Sequence, residues 1–495
     1  SLLDIFSDGI ALTAGTGIGL LGATVNALDI DARVLTASSN IGGISINALN
    51  SLIIGSVGAS VTPVQADAST VGLVIAATSD LVTLTQGSAV LVTNNGSLTL
   101  TDGDTNGLAI SVAAGGNLLL VVNGTSANVL INSDILVASG STSLQAAQSI
   151  VFGGNADIYN LAGSVELQAL TGSIEMADNS LISSATGGVR LLAAESITLG
   201  GIDAGAATIS LTATAGSILD GGDTYLDLEA GALRLNAGSS VGELGDNANE
   251  LEISTTLLSA HAGIGGISLL NQGVVTVTSV ANTVKQVLVD GSVVDLSDVA
   301  QADLIAQAGG IVLRTVGGDI TLNDGDADNS AVNHIGAGNV LIEVLTAGGL
   351  VDVNADIATA TGSISIAAPA GVLLAAGADI RATTGDIDVL ASAGAITLND
   401  TANMVAGNGN IRLSARDDIS VGGISALAGS ISLLSLTGSL IDSGDAALDL
   451  VAQSARIDVA GQVGGVTNPL ETTLGDVAIR TGTGISLIET DGLIV

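Results

Sequence analysis

The feature that most limits what this chain can become is that long stretches of it repeat without a gap. From Ile209 it reads ISLTATAGSILDGGDTYLDLEAGALRLNAGSSVG, and from Ile431 it reads ISLLSLTGSLIDSGDAALDLVAQSARIDVAGQVG. The same offset carries GSLTLTDGDTNG at Gly96 onto GDITLNDGDADN at Gly318, and GGVRLLAAESITLGG at Gly187 onto GNIRLSARDDISVGG at Gly409. GIALTAGTGIGLLGATVNALDI from Gly9 matches the stretch from Gly231, and GGISI at Gly42 matches GGISL at Gly265. The sequence thus divides into the tail of one module (residues 1–57), a full module (58–280) and a second (281–495), read as one continuous solenoid. Long repeats of this kind bury a core only by stacking neighbours.

A finer period lies inside the module. Val165–Leu167, Ile174–Met176, Val189–Leu191 and Ile197–Leu199 alternate apolar and polar residues, which is how strands read. Gly, Asn, Asp or Ser separate such runs at short, regular intervals. Ile135, Ile158, Leu181 and Ile202 recur at a near-constant spacing, and Ile357 and Ile380 repeat it. The expected fold is all-β: a right-handed parallel β-helix, or β-solenoid, with three short strands per coil of about 22 residues. Ile135, Ile158 and Leu181 should share one inward column. With strands stacked at ~4.8 Å, some 22 coils would make a rod on the order of 100 Å long. A β-sandwich array also has strands at short intervals. Its core ordinarily carries aromatic residues, however, and here there is no Trp, two Tyr and two Phe. Two irregular stretches, Ser56–Thr70 and Val280–Asp298, interrupt the pattern.

Charge removes whole classes of function. The net charge is −38, and Lys285 is the only lysine. Nucleic acids are bound through cations that displace counterions, so that class is closed, and an anionic membrane surface would repel the chain. Such repulsion favours a saline or calcium-containing medium. Mean hydropathy of +0.64 argues against disorder. No cysteine is present, which excludes disulfides and thiolate sites. The longest apolar run, Ile366–Ala378, is short of the ~20 residues a membrane helix needs and holds Pro369 and Gly371. The chain opens at Ser1 without Met and reads as a mature form or an excerpt. SLLDIF at its start and SLIETDGLIV at its end read as ordinary rod sequence, so uncapped ends are expected. The partner would then be another copy stacked end to end, or covalent continuation in a longer chain.

GSISLLSLTGSLIDSG, AGAITLND, GNIRLSARDDISVGG and NPLETTL followed by TGTGISLIETDGLIV resemble the repeat rods of filamentous-haemagglutinin-like bacterial exoproteins and giant adhesins. The resemblance covers nearly the whole chain, most clearly from Gly96 to Val495. It implies a secreted, extracellular or cell-surface protein acting in adhesion, aggregation or a biofilm matrix. The leading expectation is a non-enzymatic structural rod or filament subunit. The alternative is an adhesin binding glycans or a neighbouring cell's surface through one solenoid face.

Candidate chemistry is confined to carboxylates. Asp102 and Asp104 in TDGDTNG, and Asp324, Asp326 and Asp328 in NDGDADN, set alternate acids on Gly-containing turns. Calcium takes six to eight oxygens, and such turns can supply several. Asp-Gly is also simply good turn chemistry. A second set, Asp220, Asp223 and Asp227, is matched by Asp442, Asp445 and Asp449; the L-D-L context places Asp227 and Asp449 outward on strands. Carbohydrate-cleaving β-helices use clustered carboxylates together with Arg, Lys and aromatic platforms, and here nine Arg are scattered. Neither H-E-x-x-H nor a phosphate loop occurs. No catalytic residue and no bound organic cofactor are expected. His261 and His334 read as solvated turn residues, and Tyr159, Tyr225, Phe6 and Phe152 as local gap fillers.

Overall fold

The computed structural model describes residues 3–22, 24–222, 225–245, 249–444 and 446–494. Among them there are no helices, and the strands are mostly parallel, stacked in coils of about 24 residues. The chain forms two compact units: residues 1–231 with 281–299, and residues 232–280 with 300–495.

Where the coils are regular, each strand pairs with the third strand after it, which defines three faces. In the first unit, face one runs through Leu118–Val122, Thr142–Ala146, Val165–Ala169 and Val189–Ala193. Face two runs through Val129–Ile131, Ile150–Phe152, Ile174–Glu175 and Ile197–Leu199. Face three runs through Asp134–Val137, Ile158–Asn160, Leu181–Ser184 and Gly201–Asp203. The second unit repeats the scheme, its face one being Val340–Val344, Ile364–Ala367, Ile387–Ala391 and Ile411–Ala415.

Period-two alternation turns every other residue of a strand such as Val189–Ala193 or Val340–Val344 inside. Leu120, Leu144, Leu167 and Leu191 stack in register and are fully buried, as are Ile342, Ile366, Val389 and Leu413. Each such side chain contributes about 1.5–3 kcal/mol through burial. The expected face-three column is corrected by one position. Ile135 pairs with Ile158, and Ile158 with Ile182, not Leu181. That coil is one residue longer than the one before, and a one-residue slip sends the neighbour to the opposite face. Longer coils of this kind also bring the repeat to about 24 residues per turn, slightly above the expected length.

The turns explain the abundance of Asn, Asp and Ser. A side-chain oxygen in one coil accepts the backbone N–H of the turn above it. Asn339 accepts from Ser363, Ser363 from Asp386, Asp386 from Asn410, and Asn410 from Ser430. Asp134 accepts from Asp157, and Asp157 from Leu181. Beside the first of these ladders stands a column of glycines: Gly116, Gly140, Gly163 and Gly187 in the first unit, Gly338, Gly362, Gly385 and Gly409 in the second. A Cβ on any of them would lie under 3.0 Å from the carbonyl oxygen of the glycine one coil below.

The two irregular stretches are antiparallel hairpins, Ser56–Val61 with Leu73–Ser79, and Val280–Val287 with Val293–Gln301. Residues 281–299 of the second belong to the first unit.

Several side chains sit elsewhere than expected. Asp227 and Asp449 are buried rather than outward, because each precedes its strand at a corner of the coil. His334 is buried on the strand Ser330–His334, its Nε2 2.5 Å from the Gly309 carbonyl oxygen. His261 lies on Leu257–Ala262 with Nε2 2.7 Å from the Ala302 carbonyl oxygen, and burial lowers its pKa. Neither is a solvated turn residue. Phe152 is buried as a gap filler, whereas Phe6 and Tyr225 are exposed. The Tyr159 hydroxyl donates to Asp157 at 2.7 Å, which pushes its pKa up to about 12.

Candidate functional site

The Asp-Gly-Asp turns are built alike in both modules. Asp102 accepts the backbone N–H groups of Asp104 (2.8 Å), Thr105 (2.8 Å) and Gly107 (2.9 Å). Asp324 accepts those of Asp326 (3.0 Å), Ala327 (2.8 Å) and Asn329 (3.2 Å). These bonds favour the charged form and hold both carboxyls below their ordinary pKa. Asp102 and Asp324 therefore organise the turn itself, with much of their acceptor capacity taken. Thr105 (φ 77°) and Ala327 (φ 78°) adopt the left-handed conformation that the turn demands.

Behind each turn lies a buried aspartate that composition and spacing did not reveal. Asp80 accepts from the Gly103 N–H at 3.1 Å, and Asp303 from the Gly325 N–H at 3.3 Å. Both have positive φ, 65° and 66°. Asp303 is pushed up to about 7, first by burial and then by the charges of Asp326, Asp328 and Asp324. One carboxylate oxygen from each of Asp303, Asp326 and Asp328 falls within 4.8 Å of the others. Asp104 instead accepts a hydrogen bond from Ser79 at 2.8 Å. The signal in the sequence was the Asp-Leu pair preceding corresponding strands, Leu81–Thr83 and Leu304–Ala306.

A second acidic group combines Asp442, Asp449 and Glu471, again with oxygens within 4.8 Å. Asp449 accepts the Glu471 N–H at 2.9 Å, and Asp442 that of Gly444 at 2.8 Å. Asp220 accepts from the Gly222 N–H at 2.9 Å. Asp223 and Asp445 lie outside the described residues. A Gly-x-Ser-x-Gly string does occur at Gly238–Gly242, but Ser240 lies in a strand paired with Gly266–Ile267 and not at a strand-to-helix elbow.

The first unit holds a third arrangement. The hairpin segment 281–299 lies across face one. Val287 N–H donates to Ser143 Oγ (2.9 Å), Lys285 N–H to Ser164 Oγ (3.0 Å), and Asn282 to the Val189 carbonyl (3.1 Å). Val287 packs on Val90 and Leu119. Under it, Glu166 is 2% exposed, with Arg190 Nη1 3.6 Å away. Arg190 also donates Nε–H to Asp298 of the hairpin at 3.0 Å. Burial outweighs the arginine, and Glu166 is pushed up to about 7. A cleft of about 560 Å³ opens beside it, walled by Leu119, Val121, Val287 and Val289 and floored by Gln145, Glu166 and Gln168.

No protein-family model, no curated protein and no solved structure matches the chain. The fold itself defines the class: a β-solenoid repeat protein.

Proposed function

We propose that this chain is a structural rod or filament subunit of an extracellular bacterial surface or matrix fibre, of the filamentous-haemagglutinin-like kind, with no catalytic role. The observation that carries this reading is the identity of coil architecture in the two modules. The same three faces, the same aliphatic columns and the same glycine and Asn/Asp/Ser ladders recur in both. A sequence that spends its repeats on stacking selects for length and stiffness. Cryo-electron microscopy of the native assembly tests it.

Calcium is the proposed counter-ion of the Asp303, Asp326 and Asp328 group. The high charge density of the chain and the proximity of these oxygens support it. Calcium at millimolar concentration should raise the melting temperature at pH 7.5, since a ligand of the folded state alone stabilises it. Asp303→Asn should abolish that rise. No shift in the unaltered chain would leave these aspartates as turn residues only.

A further inference from the structure

We infer that the cleft beside Glu166 is a binding site for a small alkylammonium compound, with its aliphatic body between the valine and leucine walls and its ammonium over the floor of Gln145, Glu166 and Gln168.

The cleft belongs wholly to the first unit, between face one and the hairpin segment that crosses it. Both ends of that wall are pinned. Val287 donates its N–H to Ser143 Oγ at 2.9 Å, and the Asp290 carbonyl accepts the N–H of Gly22 at 3.0 Å. The wall therefore cannot settle onto the floor without breaking these bonds. At about 560 Å³ the space has the size of a small-molecule site, and it has the usual make-up of apolar walls with a few converging polar groups.

Comparison of the modules shows that stacking does not need this floor. At the positions of Gln145, Glu166 and Gln168 the second module has Ala367, Asp388 and Leu390, and at Val121 it has Glu343. The strands pair there in the same register all the same, Ile364 with Ile387 as Thr142 with Val165. Two amides and a buried carboxyl beneath an apolar wall are thus an addition to the coil.

Charge selects the occupant. Glu166 is buried, and its Oε1 accepts no hydrogen bond. The charged groups that face it are Arg190 of the next coil, 3.6 Å away, and Asp298 of the hairpin, which accepts the Arg190 Nε–H at 3.0 Å. Lys285 of the hairpin is paired with Asp295, and the tip contributes a further acid, Asp290. Two carboxylates therefore share one guanidinium, and a negative charge is left without a partner away from water, where it is costly. Gln145 donates Nε2–H to Gln168 at 3.2 Å, and both amide oxygens have lone pairs for an incoming N–H. An ammonium supplies three such donors and the missing charge. An anionic ligand would add to the excess, and a sugar would find no aromatic platform among the described lining residues.

Hexylamine is the probe, titrated at pH 8 in about 0.15 M salt to screen diffuse attraction to the acidic rod. Methyl resonances of Leu119, Val121, Val287 and Val289 should shift and saturate together. Glu166→Gln should weaken this binding at least tenfold, whereas Asp388→Asn, at the exposed counterpart, should leave it unchanged. In the unaltered chain, pH 5 should also weaken it at least tenfold. Hexylamine stays cationic, but the Glu166 carboxyl, pushed up to about 7, is then protonated and offers no counter-charge. 1-Hexanol, the neutral control, should bind at least tenfold more weakly than hexylamine at pH 8. Unsaturable shifts spread along the rod, equal binding of 1-hexanol, or undiminished binding by Glu166→Gln would each overturn the site. Fibre formation by the chain is independent of either result.

Discussion

Gly362→Ala should destabilise the second unit by about 3 kcal/mol, a cost at the upper end for overpacking a close-packed site. A Cβ at this position meets the Gly338 carbonyl oxygen, which is backbone and cannot swing aside. Relief requires the two coils to separate, which breaks the ladder hydrogen bonds around Asn339 and Ser363. Gly154→Ala is the matched control: nothing lies within 4 Å of its Cβ and its φ is not positive. It should change stability by no more than about 0.5 kcal/mol, as surface substitutions usually do. Urea midpoints together with hydrogen exchange across Val340–Ala415 would check both. Equal, small effects at Gly362 and Gly154 would mean that the coils are not in this contact.

Glu166→Gln should make the protein more stable at pH 8 by about 3 kcal/mol and leave it unchanged at pH 4. The carboxyl is pushed up to about 7 in the folded state from an ordinary glutamate value, so the folded chain holds the proton more tightly than the unfolded one. Its contribution to stability is therefore fully present below the unfolded pKa and is lost as pH rises through about 7. Glutamine keeps the shape and removes the charge, and Arg190 retains Asp298 at 3.0 Å. Denaturant midpoints of the two proteins at pH 4 and pH 8 give the answer. A variant less stable at pH 8 would mean that an ionised Glu166 is held by Arg190 as a net stabilising pair.

Most of the architecture was legible because alternation and turn residues act locally. Val340–Val344 and Ile364–Ala367 bury alternate residues as their pattern requires, and Gly-Asn or Gly-Ser marks the corner before each. What failed was whatever depends on one residue more or less in a turn. The shift from Leu181 to Ile182 is such a case, and so is the burial of Asp227, where L-D-L reads as a strand but the aspartate stands at a corner. The acidic turns were visible as candidates, yet Asp303 was not, standing a coil earlier than Asp324 and joined to its turn only by stacking. The hairpins showed as irregularity alone. Their strands alternate like any others, and nothing local says that Val287 is buried while its counterpart Val64 is exposed.

Cryo-electron microscopy of the native assembly tests the central claim most directly. The account predicts fibres outside the cell whose walls are parallel rungs about 4.8 Å apart. Each coil should hold about 24 residues, with Ile135, Ile158 and Ile182 in one inward column. Coil walls built of antiparallel strands, or a discrete intracellular particle that forms no fibre, would contradict it.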